Sequence, residues 1–265
     1  MQQPSLFIPH GGGPCFFMDW DPSHIWDNMK AYLEGLATTL PARPSAIIVI
    51  SGHWEEPAFT VQTTPAPTLI YDYSGFPPHT YQLKYPASGS PQLAAQVREL
   101  LQAAGLDARL DETRGYDHGV FIPLKVAFPL ADIPVIQLSL HNSLDPALHY
   151  EAGRALAPLR EQNVLIVGSG MSFHNMRVFM QRFSNASMPA DPKAAAFDQW
   201  LTGAVTGGDT KSQLSQWQEA PAARYAHPRE EHLLPLMVAA GAGQEGRKVL
   251  HDLSLGVDIS AFRFD

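Results

Sequence analysis

Cysteine is almost missing from this chain of 265 residues, which contains only Cys15. A single thiol excludes an intrachain disulfide framework and also a zinc site of the CxxC type. Any bound metal ion must therefore be held by histidine and carboxylate side chains. Histidine, with eleven copies, is then the residue type to follow along the chain.

Charged residues are also sparse, at 17% of the chain, and the formal net charge is -8. Nucleic-acid binding needs clustered lysine and arginine, so this balance argues against a nucleic-acid partner. No apolar run approaches the length of a membrane helix. The first basic residue is Lys30, so the N-terminal segment lacks the basic region of a secretory signal. We therefore expect a soluble cytoplasmic protein with no membrane partner.

Strand and helix patterns alternate along the chain. Apolar runs rich in β-branched residues are typical of strands buried on both faces of a parallel sheet, and they occur at 46–50, 134–140 and 164–167. A shorter run at 5–9 and an alternating segment at 248–264 also indicate strands. Helical spacing or capping signals predict helices at 24–39, 90–105, 145–159, 191–204 and 231–241. The alternation predicts an α/β fold with a mainly parallel or mixed sheet, in a single domain spanning 1–265.

The proline-rich segment 57–91 is the least regular part of the chain. Its aromatic residues include Tyr71, Tyr73, Phe76, Tyr81 and Tyr85. A disordered linker would be poor in aromatics, so we expect an ordered loop packed on the domain.

Four histidines fall just beyond predicted strands: His10, His53, His141 and His174. Ligands of open α/β sheets bind beyond the carboxyl ends of the strands, so parallel strands would bring these histidines to one edge. The functional interpretation is a mononuclear metal site with open coordination positions, where imidazole suits iron and zinc alike. For each histidine taken singly, an ordinary loop or core position is the more frequent explanation.

Other catalytic motifs are weaker. The triplet Gly11–Gly13 is neither a dinucleotide-binding nor a phosphate-binding loop. Gly168–Ser172 does not meet the GxSxG spacing of a serine hydrolase. Some of the aromatic residues near the proposed site are candidates for the walls of an apolar slot: Phe16, Phe17, Trp20, Trp54, Tyr71 and Tyr73.

A series of short motifs runs through nearly the whole chain, in this order: Leu6–Gly11, Ile50–Trp54, Gly75–Pro78, Tyr85–Ala87, Asp117–Gly119, Asp132–Ser139, Gly168–Gly170, His174–Asn175 and Glu231–His232. Each is weak alone, but in this order they are specific. The chain thereby resembles the class III extradiol ring-cleavage dioxygenases of the LigB superfamily, in the branch related to 4,5-DOPA dioxygenase.

The resemblance implies a central mixed sheet with helices on both faces and a non-haem Fe(II) centre, which zinc sometimes occupies. The ligands carried over are His10, His53 and His232, and the catalytic histidine is His174. His118 matches a histidine of the substrate pocket. We also place three residues among the substrate-binding candidates: Asp117, Ser172 and His227.

The chain departs from the family at the first ligand, where family members often read Ser-His-Gly-Ser-Pro. Here the sequence is Pro9–Cys15, PHGGGPC, which we expect to reshape the pocket, so DOPA is not assumed as the substrate. More distant class III enzymes use glutamate as the third ligand, so Glu230 and Glu231 stay alternatives to His232.

The resemblance implies an extradiol dioxygenase that opens the ring of a catechol with O2. One alternative is a zinc-dependent hydrolase on the same three histidines, with Glu230 or Glu231 as base. Another is a non-enzymatic metal-binding protein of the Memo type. The sequence leaves open the particular catechol, the bond cleaved, the native metal and the oligomeric state.

Overall fold

The computed structural model describes all 265 residues and contains one sheet of eight strands. The strands are β1 (Ser5–Pro9), β2 (Ala46–Glu56), β3 (Phe59–Gln62), β4 (Ala108–Asp111), β5 (Val135–His141), β6 (Val164–Gly170), β7 (Gly246–Ser254) and β8 (Val257–Phe264). The helices are α1 (Asp27–Gly35), α2 (Pro91–Ala103), α3 (His118–Ala127), α4 (Pro146–Leu156), α5 (Met176–Ser184), α6 (Pro192–Thr206), α7 (Thr210–Ser215), α8 (Ala223–Ala226) and α9 (Leu234–Ala242).

The sheet is mixed and has a parallel centre. Its strand order is β4-β3-β5-β2-β6-β1-β8-β7. The neighbours β5, β2, β6 and β1 all run parallel. Strand β3 is antiparallel to β5 and carries β4 at its other side, while the β7–β8 hairpin joins β1 in antiparallel fashion. The carboxyl ends of the four central strands therefore share one edge, where the functional side chains are expected.

Helices cover both faces of this sheet, as strand β6 shows. Consecutive residues of a strand point to opposite faces. A Cβ atom on Gly168 would lie 2.2 Å from the carbonyl oxygen of Pro235, so α9 packs against that face. The Ser169 hydroxyl points the other way and donates to the Gly119 carbonyl of α3. The predicted α/β fold, with a mixed sheet between two helical layers, is confirmed.

Helix α3 forms from an apolar run that shows no helical periodicity in the sequence. All its residues except Lys125 are buried. A helix that is apolar all round lies inside the protein, so it has no polar face to reveal its period. Its first residue is His118, which it delivers to the edge of the sheet.

The segment 57–91 is ordered, as expected. It begins with strand β3 and contains a 3-10 helix at Pro78–Gln82. Two tyrosine hydroxyls tie the intervening loop down: Tyr71 donates to the Leu83 carbonyl at 2.6 Å and Tyr73 to the Thr80 carbonyl at 2.7 Å. These bonds hold residues 71–76 beside the sheet edge.

Strand β2 is longer than its apolar run suggests. It continues through His53 to Glu56, because Glu55 and Glu56 pair with the end of β5 after a shift of register.

None of the nine helices combines the length and hydropathy needed to cross a bilayer.

Candidate metal centre

Three histidines from separate parts of the chain meet at the carboxyl edge of the sheet. His10 directly follows β1, His53 lies near the end of β2, and His232 lies in the turn before α9. One ligand-type nitrogen of each lies within 4.8 Å of the other two. The Nε2 atoms of His53 and His232 are 3.1 Å apart. Adjacent nitrogen ligands on one ion, each bound at about 2 Å, are about 3 Å apart, so this spacing suits a shared metal.

Two glycines bring the His232 segment onto the sheet. Gly52 and Gly170 lie directly against its backbone. A Cβ atom added to Gly52 would lie 3.0 Å from the Glu231 carbonyl oxygen, and one added to Gly170 would lie 2.1 Å from the His232 carbonyl oxygen. The same carbonyl of His232 accepts from the Met171 amide at 3.0 Å. Side chains at Gly52 and Gly170 would therefore push His232 away from the other two histidines.

The three rings have the chemistry of metal ligands. Both ring nitrogens of His10 are buried and have no hydrogen-bond partner, a costly arrangement for polar atoms unless another ligand satisfies them. Burial, reinforced by the neighbouring histidines, holds the pKa of His10 and of His53 well below the usual value. Burial likewise lowers the pKa of His232 to about 4. All three rings are therefore neutral at pH 7, the form that binds a metal ion.

Glu231 joins two of the histidines. Its Oε1 atom accepts from Nδ1 of His232 at 2.9 Å and lies 3.3 Å from Nδ1 of His174. Burial raises the pKa of Glu231, but the hydrogen bonds with His174 and His232 outweigh it and hold that pKa well below its usual range. A carboxylate on Nδ1 leaves Nε2 of His232 facing the other ligands, an arrangement common behind metal-bound histidines.

His118 has a similar carboxylate partner. Its Nδ1 lies 2.8 Å from Oδ1 of Asp72, and its backbone amide donates to the same oxygen at 2.9 Å. Burial raises the pKa of Asp72, but the bonds and charge of His118 outweigh it and lower that pKa overall. The His118 ring lies beside His53, with 3.9 Å between centroids. Because Asp72 bonds Nδ1, it is Nε2 of His118 that is left to face the histidine cluster.

His174 stacks on the third histidine of the cluster. The rings of His174 and His232 are nearly parallel, with centroids 3.4 Å apart. The His174 amide donates to the Ala226 carbonyl at 2.9 Å, which ties its loop to the chain before His232. With Nδ1 near Glu231, the Nε2 atom is left for a ligand.

A cavity of about 710 Å³ opens above these histidines. All five site histidines line it, namely His10, His53, His118, His174 and His232. Aromatic and methionine side chains form most of the remaining wall: Trp20, Trp26, Tyr73, Phe76, Met171, Met176, Phe179, Met180 and Phe183. A mainly apolar cavity with a few converging polar groups is typical of a small-molecule site.

Comparisons with known proteins agree with this geometry. The family model described as the catalytic LigB subunit of aromatic ring-opening dioxygenase matches residues 4–260. The chain belongs to the LigB family. The enzyme class that the motifs implied, a ring-cleaving dioxygenase, is confirmed at the level of this family.

Several known proteins are similar to this chain over most of their length. The chain is 41% identical to "Dioxygenase tasH" of Hapsidospora irregularis, over 98% of this chain and 84% of that protein. It is 41% identical to the "4,5-DOPA dioxygenase extradiol" of Beta vulgaris, over 92% of this chain and 88% of that protein. A crystal structure of an uncharacterized protein from Escherichia coli K12 superimposes with a TM-score of 0.80 at 30% identity, covering both chains completely.

Three predicted substrate-binding residues do not line the cavity of this LigB-family fold. The Asp117 carboxylate is buried against Ser51, Arg114 and Gln137. The Ser172 hydroxyl accepts from the Ser260 amide, and the His227 ring bonds the Ser172 carbonyl. None of the three is among the residues that line the cavity, so direct substrate contact by them stays a prediction.

Other expectations also differ from the structure. His141 does not line the cavity; it bonds Ser143 at the end of β5, an outer neighbour of β2. Of the six aromatics considered as candidates for an apolar slot, Trp20 and Tyr73 line the cavity. The sequence interpretation missed helix α5, although four of its apolar residues have helical spacing, at 176, 179, 180 and 183, and Asn175 caps its start. It also missed Asp72, which nothing in the sequence marks as a partner of His118.

Proposed function

We propose that the chain is a non-haem Fe(II) extradiol dioxygenase that opens the ring of a catechol with O2. Membership of a ring-opening dioxygenase family supports the reaction class. The observation that carries the metal proposal is the His10, His53 and His232 cluster, in which both ring nitrogens of His10 are buried and unpartnered. No carboxylate is needed as a ligand, since Glu231 is already bonded to His232 and Glu230 to Arg224.

His10, His53 and His232 would hold the ion and leave its remaining positions facing the cavity. When bound, Fe(II) supplies a Lewis-acidic, redox-active centre that brings the diol and O2 together. In the overall reaction, the ring bond beside the diol breaks and both atoms of O2 enter the product, a ring-opened semialdehyde.

His174 is the proposed acid–base residue. It lines the cavity, and its Nδ1 lies beside Glu231, so Nε2 is available to take a phenolic proton and later return it. A negative carboxylate beside Nδ1 stabilises the imidazolium that forms. His118, fixed by Asp72, presents its Nε2 to a substrate oxygen. The two histidines thus orient the diol and move its protons.

The test is oxygen uptake by Fe(II)-reconstituted protein with a panel of catechols, together with the metal content of two variants. His10→Ala should lose bound iron, because it removes a ligand. His174→Ala should keep iron but lose turnover by about a hundred-fold or more. No oxygen uptake with any catechol would overturn the dioxygenase proposal, and near-normal turnover of His174→Ala would overturn the acid–base assignment.

A zinc hydrolase on the same ligands would need a free general base beside the ion. Glu231 is the acid nearest the cluster, but its Oε1 bonds His232 and its Oε2 lies 3.4 Å from Arg229. This arrangement favours an orienting role for Glu231. Hydrolysis of an ester panel by the zinc-loaded protein without O2 would instead support the hydrolase.

A further inference from the structure

The cavity has an apolar wall that extends well beyond the histidines. Helix α5 turns one face toward it, with Met176, Phe179, Met180 and Phe183 along that face. Trp20 continues the wall and stacks on Phe183, with ring centroids 5.3 Å apart. A single benzenediol ring fills only a small part of about 710 Å³, so the remaining space is available to a substituent.

This wall offers an anion no lysine or arginine, although the neutral indole N–H of Trp26 is buried there without a hydrogen-bond partner. Neither lysine nor arginine lines the cavity, and the one charged side chain apart from the histidines is Asp21, which lies exposed at the rim. The hydroxyl of Tyr73 is already bonded to the Thr80 carbonyl, and the indole N–H of Trp20 to the Cys15 carbonyl. A carboxylate on the substrate would therefore lose its hydration against apolar side chains and gain no cation in return.

We infer that the preferred substrate is an uncharged catechol with an extended apolar substituent, and that a carboxylate on that substituent weakens binding. The inference rests on the proposed function, since the catechol ring is what the histidine cluster handles. The substituent lies along α5 and Trp20, where removal of apolar surface from water stabilises the complex. The carboxylate of a DOPA-like side chain has no counterion in this cavity.

The most direct test uses two catechols that differ in the charge of the side chain and by one methyl group: 3-(3,4-dihydroxyphenyl)propionic acid and its methyl ester. Oxygen uptake by the Fe(II)-loaded protein gives kcat/KM for each. Tryptophan fluorescence without O2 gives each dissociation constant independently of turnover, since Trp20 and Trp26 line the cavity. We expect the kcat/KM of the ester to be about ten-fold or more higher than that of the acid, and its dissociation constant about ten-fold or more lower.

A charge variant sharpens the comparison. The Met180 residue is 59% exposed at the cavity mouth, so an arginine there stays hydrated and the fold tolerates it. Met180→Arg should lower the ratio of the ester's kcat/KM to the acid's by about ten-fold, because the arginine supplies the missing cation. Met180→Gln is the matched control: it adds polarity without charge and should keep the ratio of the unmodified protein.

The outcomes separate the two proposals. Equal or tighter binding of the acid by the unmodified protein would overturn the substrate inference, whatever the turnover. The substrate inference would also be overturned if Met180→Arg and Met180→Gln had the same ratio of kcat/KM for ester and acid. Absence of oxygen uptake with both compounds would count against the dioxygenase function, while the fluorescence comparison would still decide the substrate class.

Discussion

Three histidines at this site, His118, His174 and His232, each have a carboxylate beside Nδ1. Glu231 orients His232 and His174 through one oxygen, and Asp72 orients His118. A carboxylate on Nδ1 fixes the ring and raises its strength as a ligand or base. Glu231 thus couples His232, a proposed metal ligand, to His174, the proposed acid–base residue.

Removing the charge of Glu231 should weaken the metal site. In Glu231→Gln we expect metal affinity to fall about ten-fold or more, because His232 loses the carboxylate that orients it. Its neighbour offers a matched control: Glu230 pairs with Arg224 and does not contact the cluster. Glu230→Gln should bind metal as the unmodified protein does, as measured by competition with a chelator. Equal metal affinities of the two variants would show that Glu231 does not support the metal site.

Residue positions could be predicted only as far as local pattern determines them. His10, His53 and His174 were recognisable because they follow apolar strands. Ser172 was not separable from its neighbour, since Met171 lines the cavity while the Ser172 hydroxyl bonds the Ser260 amide. Asp72 lies in a loop whose position depends on tyrosine hydroxyl bonds across 71–83, and spacing alone carries no trace of them.

At the scale of elements, the site depends on how closely the segment before α9 approaches β2 and β6. That segment carries Glu231 and His232, and it rests on Gly52 and Gly170. Neither glycine stands in a turn; each lies in a strand where another backbone needs the space.

A methyl group at Gly170 should therefore disturb the metal site. The added Cβ of Gly170→Ala would meet the His232 carbonyl at 2.1 Å, so the segment must move and carry the ring with it. We expect metal affinity to fall about ten-fold or more and stability to fall by about 1–3 kcal/mol.

The control for this change is Gly203→Ala in helix α6, where an added Cβ meets nothing within 4 Å. It should leave metal binding intact and slightly stabilise the helix, since alanine is the better helix former. Calorimetric metal titration of both variants gives the comparison. Full metal affinity in Gly170→Ala would show that the segment is not held by this contact.

Elements with a clear period or a cap were predictable, and fully buried or short ones were not. Helices α2 and α4 begin at Ser-Pro and Asp-Pro, where the Ser90 and Asp145 side chains cap them. Helix α3 lacks a polar face. Strand β4 has only four residues and just one of them is buried, so its pairing with β3 decides its structure more than its own sequence does.

For the molecule as a whole, the fold class followed from the alternation of apolar runs and helical patterns. Direction and order of the strands could not be derived that way, because pairing joins segments far apart in the sequence. The antiparallel position of β3 beside β5 is one example, and the addition of the β7–β8 hairpin to β1 is another.

Buried neutral histidines should make the stability of the molecule depend on pH. His149 is fully buried on α4, away from the metal centre, and burial lowers its pKa to about 4 from 6.5. The folded state therefore binds its proton less readily than the unfolded chain. Its contribution to stability is present above about pH 6.5 and is lost as the pH falls toward 4. Between pH 7 and pH 5 this should amount to about 2 kcal/mol.

Urea unfolding of the unmodified protein and of His149→Gln across this range isolates the effect. The variant cannot titrate at 149, so its unfolding free energy should fall less steeply below pH 6.5, even if it is less stable overall. Identical slopes in the two proteins would show that His149 does not stay neutral in the fold.

The central proposal is that His10, His53 and His232 hold one Fe(II) ion with which the protein opens a catechol ring. Turnover of 4-methylcatechol by the iron-loaded protein under isotope-labelled O2, followed by mass spectrometry of the product, tests it most directly. We expect a ring-opened product that carries both labelled oxygen atoms, and no product from His10→Ala. An unlabelled product, a quinone, or equal turnover by His10→Ala would contradict the proposal.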